Sequence, residues 1–308
     1  MLQHLTTGEN FSAAETHKIL KAALTLKKDP HAKKYSGYLK DKTFALIFEK
    51  PSLRTRVTFE TGIIQLGGHT IYLQSEDIKL GERETIEDVA KNLSRWVDGL
   101  IVRTYAHERL EALARNATIP VINALTDTYH PCQALACALT LLEHKKKLKG
   151  LRFAFIGDGN NVCHSILLLC AVLGIHIAIA TPPQYQPRRE IIQKAKQISF
   201  GKSEINIFQN PIQAVKKADI IYTDVWTSMG QEREHYKRIR AFRNFQINKR
   251  LLQYAPDGVL ISHCLPAHRG EEITSEILDG PSSIALAEAE NRLHTQKAVL
   301  LKLFHQRP

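Results

Sequence analysis

Short unbroken apolar runs alternate with longer stretches whose apolar positions recur every three to four residues, and this alternation fills the 308-residue chain. Residues 12–27 come first. Ser12 and Glu15 have capping-box spacing ahead of apolar positions at helical intervals, which predicts an opening helix. "TFALIFE" then precedes "RTRVTFETGIIQLGG", "HTIYLQ" precedes "TIEDVAKNLSRWV", "GLIVRT" precedes "HERLEALARNA", and "PVINAL" precedes "HPCQALACALTLLEHKKK". A parallel strand is covered on both faces and needs a crossover helix to return, so it reads as a continuous apolar run followed by an amphipathic one. Four such pairs predict one α/β unit.

The polar "HKKKLKG" ends the fourth helical pattern, and a second series follows: "LRFAFIGD", "HIAIAT", "ADIIYTD" and "GVLISHCLP", again separated by helical stretches. These predict a second α/β unit, so the fold class is α/β with two domains, each a parallel β-sheet flanked by helices. A last helical pattern runs from about Leu286 to His305; it could dock back on the first unit, but its spacing alone does not place it. No low-complexity segment and no short-period repeat is present, which excludes solenoid and disordered readings.

Composition changes this picture little. With 44% hydrophobic residues the chain can bury a large core, near the size at which one core divides into two. No stretch has the 18 or more apolar residues of a membrane span, and "MLQHLTTGENF" lacks the basic start and apolar core of a signal peptide, so a soluble cytoplasmic protein is expected. The five cysteines, Cys132, Cys137, Cys163, Cys170 and Cys264, lack CxxC spacing and are expected to be reduced. The formal charge of +11 suggests an anionic partner and raises nucleic acid as a rival. Its distribution argues otherwise: the basic residues gather in "HKKKLKG" and "KRIRAFRNFQINKR", patches without aromatic interleaving or Cys/His spacing, which read as solvated helix faces.

Chemistry concentrates after the strands, where open parallel sheets bind ligands. In "FEKPSLRTRVTFETG" two arginines stand at a helix start, the end where unpaired N–H groups already carry partial positive charge. Arg54 and Arg56 are misplaced there unless an anion sits between them. With the Ser52 and Thr55 hydroxyls they make a donor set for a phosphate, the alternative being a Ser N-cap followed by solvated arginines. After the third strand stands Arg103. After the fourth, His130 and Gln133 flank Pro131 on one face of a helix start, able to hold a carbonyl and its NH₂ together or, more blandly, to cap the helix.

In the second series "GDGNN" begins like a dinucleotide fingerprint, but position 162 is Val and no acidic residue follows "HIAIAT", so an NAD site is not expected. The amides Asn160 and Asn161 at a helix start suit a carboxylate instead. Asp224 ends a buried-looking strand, a costly place for a carboxylate that an ammonium ligand would satisfy, and Ser228, Met229 and Gly230 form a short loop beyond it. By residue type Trp226 and Met229 read as packing. Cys264 lies near histidines but without the partners of a covalent nucleophile.

Taken together, "KPSLRTRVTFE", "HPCQALA", "GDGNN", "DVWTSMG", "HCLPAHRGEEIT" and "AEAENRLHTQKA" resemble the ordered motifs of the aspartate/ornithine carbamoyltransferase family over nearly the whole chain. The SxRTR and HPxQ elements are shared across it; DxxxSMG and HCLP resemble its ornithine branch. The resemblance implies a carbamoyl phosphate-binding domain at 1–131 with a returning C-terminal helix at 289–308, and an ornithine-binding domain at 132–288. It implies phosphate contacts from Ser52, Leu53 (backbone only, where many members have Thr), Arg54, Thr55 and Arg56. Lys79, in "SEDIKLGERET", is the candidate for completing a neighbouring subunit's phosphate site.

The same resemblance carries carbamoyl contacts to Arg103, His130, Gln133, Arg292 and the main chain of Cys264 and Leu265. It carries the α-carboxylate to Asn161, the α-ammonium to Asp224 and the Ser228–Met229 loop, and the δ-amine to the vicinity of Cys264 and Asp224. The implied partners are carbamoyl phosphate and L-ornithine, in a homotrimer or a multiple of trimers, giving citrulline and phosphate in arginine metabolism. No cofactor, metal, membrane or nucleic acid is implied. Putrescine or N-acetylornithine are the alternative acceptors.

Overall fold

A computed structural model describes residues 3–29, 35–228 and 230–304, apart from the Asp77 side chain. It divides into two compact units, Met1–Leu139 with Glu290–Pro308, and Thr140–Ala289. Among the described residues no helix is long and apolar enough to cross a membrane.

The first unit runs α1 (Ala13–Lys28), β1 (Thr43–Phe48), α2 (Leu53–Gln65), β2 (His69–Gln74), α3 (Ser75–Ile78), α4 (Ile86–Trp96), β3 (Gly99–Arg103), α5 (His107–Asn116), β4 (Val121–Leu125) and the start of α6 (Pro131–Lys145). The expected capping box is present: Ser12 accepts from Glu15 N–H while Glu15 accepts from Ser12 N–H. All strand pairs are parallel, in the order β2–β1–β3–β4. Strands β1 and β3 are apolar and buried because both faces are covered, and Ala45, Ile47, Leu100 and Val102 meet Val89, Leu93, Leu110 and Leu113 in one core. Burying each of these Val, Leu and Ile side chains stabilises by about 1.5–3 kcal/mol.

The last helix, α13 (Ala285–Leu303), belongs to this unit from Glu290 onward. Lys302 Nζ donates to Glu15 at 2.8 Å, Tyr38 Oη to the Leu301 carbonyl at 3.1 Å, and the Phe304 ring meets Phe44 edge-on at 4.8 Å. The C-terminal helix thus returns to the first unit, as the family resemblance implies.

The second unit continues α6 and adds β5 (Arg152–Ile156), α7 (Asn161–Leu173), β6 (His176–Ala180), α8 (Arg189–Ser199), β7 (Ile205–Phe208), α9 (Pro211–Val215), β8 (Ile220–Thr223), α10 (His235–Phe242), α11 (Lys249–Leu252), β9 (Leu260–His263), α12 (Ser275–Leu278) and the start of α13. Its parallel sheet has the order β7–β6–β5–β8–β9. The sequence reading misses β7, an edge strand of four residues with no fully buried position and no strong apolar run. Ile156, Ile221 and Ile261 pack with Trp226, Phe242 and Phe245 in its core, so Trp226 is the packing residue its type suggests.

In each sheet successive crossovers leave in opposite directions from one point, between β1 and β3 in the first and between β5 and β8 in the second. Crevices outside the strand ends form at such switch points. Polar clusters of the sequence follow these four strands and also β4 and β9.

Candidate active site

In the first unit α2 starts five residues after β1. Ser52 is its N-cap, its hydroxyl accepting from Thr55 N–H at 3.3 Å, so the capping reading holds for this residue. Leu53 is 75% exposed at the first helical position, where its backbone rather than its side chain is placed to meet an anion. Thr55 is buried and accepts from Arg292 Nη2 at 3.0 Å, which leaves its own hydroxyl hydrogen to donate elsewhere. Arg292 Nη1 donates to Gln133 Oε1 at 2.5 Å, which orients the Gln133 amide.

Arg103, at the end of β3, is 5% exposed, and its Nε–H has no acceptor. Burial, followed by the charges of Arg292 and Arg54, lowers its pKa to about 10. His130, at the start of α6, is held well below the ordinary imidazole range by burial and then by Arg292, Arg103 and Arg54. It is therefore neutral at pH 7. Arg54, Thr55, Arg103, His130, Gln133 and Arg292 thus form one electrostatic cluster containing three guanidiniums and no carboxylate.

Two candidates stand apart from it. Arg56 Nε donates to Glu60 at 3.0 Å, one turn along α2, and its guanidinium lies 3.5 Å from the centre of the Tyr72 ring. Lys79 is exposed, with a left-handed backbone (φ 41°), at the turn that leaves α3.

In the second unit the glycines of "GDGNN" answer to geometry. Gly157 has φ 137°, and a Cβ on Gly159 would collide with the backbone of Gln186 and Pro187. Asn160 is the N-cap of α7, accepting from the N–H groups of Val162 and Cys163, and its amide donates to Asp224 Oδ2 at 2.7 Å. Asn161, half-buried at the first position of α7, accepts from Val162 N–H at 2.9 Å.

Asp224 is 7% exposed and accepts three bonds: from Asn160, from Val225 N–H at 2.8 Å, and from Cys264 Sγ at 2.7 Å. Neutral donors therefore meet this carboxylate. Ser228 is half-buried in a turn closed by Gln231; Met229 lies outside the described residues. Leu265 has φ 53°, precedes a cis Pro266, and donates its N–H to His263 Nδ1 at 2.8 Å.

Sequence reasoning missed the groups that hold these loops. Arg238 lies in the basic run read as a solvated face, yet it is buried: Nη1 donates to Asp158 at 2.9 Å and to the Trp226 carbonyl at 2.8 Å, and Nε donates to Glu234. Burial raises the Asp158 pKa to about 6, with Arg238 pulling it back down. The Glu234–Arg238 spacing of four was the available signal; the partner eighty residues away was not. In the first unit Lys50 is buried between Asp127 and the Tyr105 ring, and Glu49 accepts from Thr104 and from Arg109.

Among the described residues two sets of side chains have metal-ligand types close together: Asp224, His263 and Cys264, and His268, Glu271 and Glu272, with one potential ligand atom from each residue within 4.8 Å of the others. Protein partners already engage the first, through the Cys264–Asp224 bond and the 3.0 Å bond between His263 and Glu272.

Comparison with known proteins gives one answer along the whole chain. A family model described as aspartate/ornithine carbamoyltransferase, carbamoyl-P binding domain, matches residues 3–143, and one described as the Asp/Orn binding domain of the same enzymes matches residues 149–303. The chain is 50% identical to the ornithine carbamoyltransferase of Methanosarcina acetivorans over 294 residues, 96% of each protein. It is 46% identical to that of Archaeoglobus fulgidus over 302 residues, 98% of this chain and 97% of the relative. Among solved structures it is similar to the ornithine carbamoyltransferase of Pyrococcus furiosus, with a TM-score of 0.95 and 45% identity over 99% of this chain and 98% of the other. The anabolic ornithine carbamoyltransferase of Campylobacter jejuni matches with a TM-score of 0.94 and 38% identity over 99% and 100%. The chain belongs to the aspartate/ornithine carbamoyltransferase family.

Proposed function

We propose that this protein transfers the carbamoyl group of carbamoyl phosphate to the δ-amine of L-ornithine, giving L-citrulline and phosphate. One observation carries the phosphate half: buried Arg103 and Arg292 stand with half-buried Arg54, burial and then the charges of Arg292 and Arg54 lower the Arg103 pKa, and Arg103 Nε–H lacks an acceptor. Like charges held together in a buried place call for an anion. The names of relatives up to 50% identical support ornithine as the acceptor.

The first unit takes carbamoyl phosphate in this reading, and the second takes the amino acid. The functional boundaries are placed at 1–131 with 289–308, and at 132–288. Ser52, Arg54, Thr55, Arg56 and the backbone at Leu53 meet the phosphate. Arg103, His130, Gln133, Arg292 and the main chain of Cys264 and Leu265 meet the carbamoyl group. Asn161 takes the α-carboxylate, Asp224 and the Ser228–Met229 loop take the α-ammonium, and the δ-amine lies toward Cys264.

The nitrogen lone pair attacks the carbonyl carbon, an N–C bond forms, and the C–O bond to phosphate breaks with its electrons leaving on phosphate. Charge grows on the carbonyl oxygen during attack. Donors fixed in advance at that oxygen give the dominant stabilisation, and Arg103, Thr55 and neutral His130 are the donors here. An alkyl amine titrates near ~10.4, so the free base must be selected; the leaving phosphate then accepts the proton.

Leu53, Val57 and Ile64 on α2 and Ile71 on β2 are large apolar side chains left exposed in the first unit, the kind of surface a homotrimer would cover. All five cysteines are free, which fits a reducing compartment such as the cytoplasm. The test is ureido-product formation from carbamoyl phosphate with ornithine, putrescine, N-acetylornithine or aspartate, beside an Arg54→Ala control. Product with ornithine alone, lost in the control, is expected; product with another acceptor only would overturn the acceptor, and none with any would overturn the reaction.

A further inference from the structure

We propose that Glu288 is a positioning residue for the amino-acid half-site: its carboxylate braces β8 against β9 just below the point where they present Asp224 and Cys264. What that half-site binds rests on the ornithine assignment; the bracing rests on geometry within one unit.

Tyr222 and Ser262 are partners in the β8–β9 register. Paired residues of parallel strands point to the same face, so their hydroxyls lie on one side of the sheet. Tyr222 Oη donates to Glu288 Oε1 at 2.6 Å, and Ser262 Oγ donates to Glu288 Oε2 at 2.6 Å. Each oxygen of one carboxylate is thereby assigned to a different strand. All three residues are fully buried.

The Tyr222 ring is itself fixed, packed against Phe153 at 5.6 Å and stacked on Phe155 at 5.8 Å, so its hydroxyl has one direction. Two residues beyond Tyr222 and Ser262 stand Asp224 and Cys264, where Cys264 Sγ meets Asp224 Oδ1 at 2.7 Å. The ladder between β8 and β9 spans only four residues. A lateral constraint on the third rung therefore acts directly on the spacing at the strand ends. A buried carboxylate is a costly way to fill space, whereas its two charge-assisted bonds are directional.

Glu288→Ala removes both bonds, Ser262→Ala removes one, and Glu288→Gln keeps the length of the link, because one hydroxyl can rotate to accept from the amide. For Glu288→Ala the KM for ornithine is expected to rise about tenfold, the scale of one lost charge-assisted bond, while the KM for carbamoyl phosphate stays within about twofold. Ser262→Ala should be intermediate, and Glu288→Gln should remain within about threefold of the parent.

The second readout is the rate at which iodoacetamide alkylates Cys264 in the folded protein, followed by peptide mass spectrometry. The reacting species is the thiolate, which a carboxylate in contact disfavours, so displacing Asp224 should speed alkylation severalfold in Glu288→Ala and not in Glu288→Gln. Should Glu288→Ala not fold, Ser262→Ala decides. A variant with a lowered thermal midpoint but parental ornithine KM and Cys264 rate would overturn the proposal. If the parent carbamoylates no ornithine, the acceptor reading fails separately, and equal Cys264 rates in parent and variants would still overturn the bracing.

Discussion

The two half-sites are built on opposite electrostatic plans. In the first unit buried Arg103 and Arg292 and half-buried Arg54 all act on a neutral His130, and the set contains no carboxylate. In the second, the carboxylate of Asp224 is already met by an amide, a backbone N–H and a thiol. The first arrangement gathers like charge that an anion would relieve, whereas the second presents a carboxylate held by neutral donors, to which a cation would add. The difference predicts which ligand each half needs and which half pays for being empty.

The largest expected effect separates the halves by activity and stability together. Arg103→Ala should lower kcat about 10²–10³-fold, the scale of losing one oxyanion donor, while leaving the thermal midpoint of the ligand-free protein unchanged or raised, since a repelling charge is gone. Activity assays with thermal melts check this; a large loss of midpoint would break the contrast. Asp224→Asn should lower kcat/KM for ornithine about a hundredfold and leave carbamoyl phosphate binding near parental, because the proposed role of that charge is toward the ammonium. Equal losses for both substrates in steady-state kinetics would contradict it.

Proton linkage gives a smaller effect. The unfolded chain protonates His130 near the ordinary imidazole value of 6.5 while the folded chain resists, so its contribution to stability is present above pH 6.5 and is lost as pH falls toward the depressed folded pKa. The acid limb of kcat/KM for carbamoyl phosphate should accordingly lie below pH 6.5. Arg103→Gln removes one of the depressing charges, so a pH–rate profile of that variant should move the limb to higher pH. The smallest effect is Ser52→Ala, which removes the α2 cap and should cost about 1 kcal/mol in denaturant unfolding.

The inner strands of both sheets were legible because burial on two faces makes them continuous apolar runs; the six-residue edge strand β2 was read although none of its positions is buried, whereas the four-residue edge strand β7 was not. Ser52, Arg103, His130 and Asp224 stood out because polar residues directly after buried strands need a reason. The sequence could not say how such residues are shared out. Asn160 and Asn161 look equivalent, yet Asn160 is committed to the cap of α7 and to Asp224. Arg54 and Arg56 look like a pair, yet Arg56 has Glu60 one turn away, a spacing that was visible. Arg238 and Glu288 owe their roles to partners such as Asp158 and Tyr222, brought to them only by the fold.

Calorimetric titration of carbamoyl phosphate, and separately of ornithine, into the parent and into Arg103→Gln tests the anion-seeking cluster most directly. The account predicts that carbamoyl phosphate alone binds the parent, raises its thermal midpoint and binds Arg103→Gln at least tenfold more weakly, about 1.4 kcal/mol, with ornithine alone unaffected by the substitution. Equal affinity of carbamoyl phosphate for parent and Arg103→Gln would contradict it.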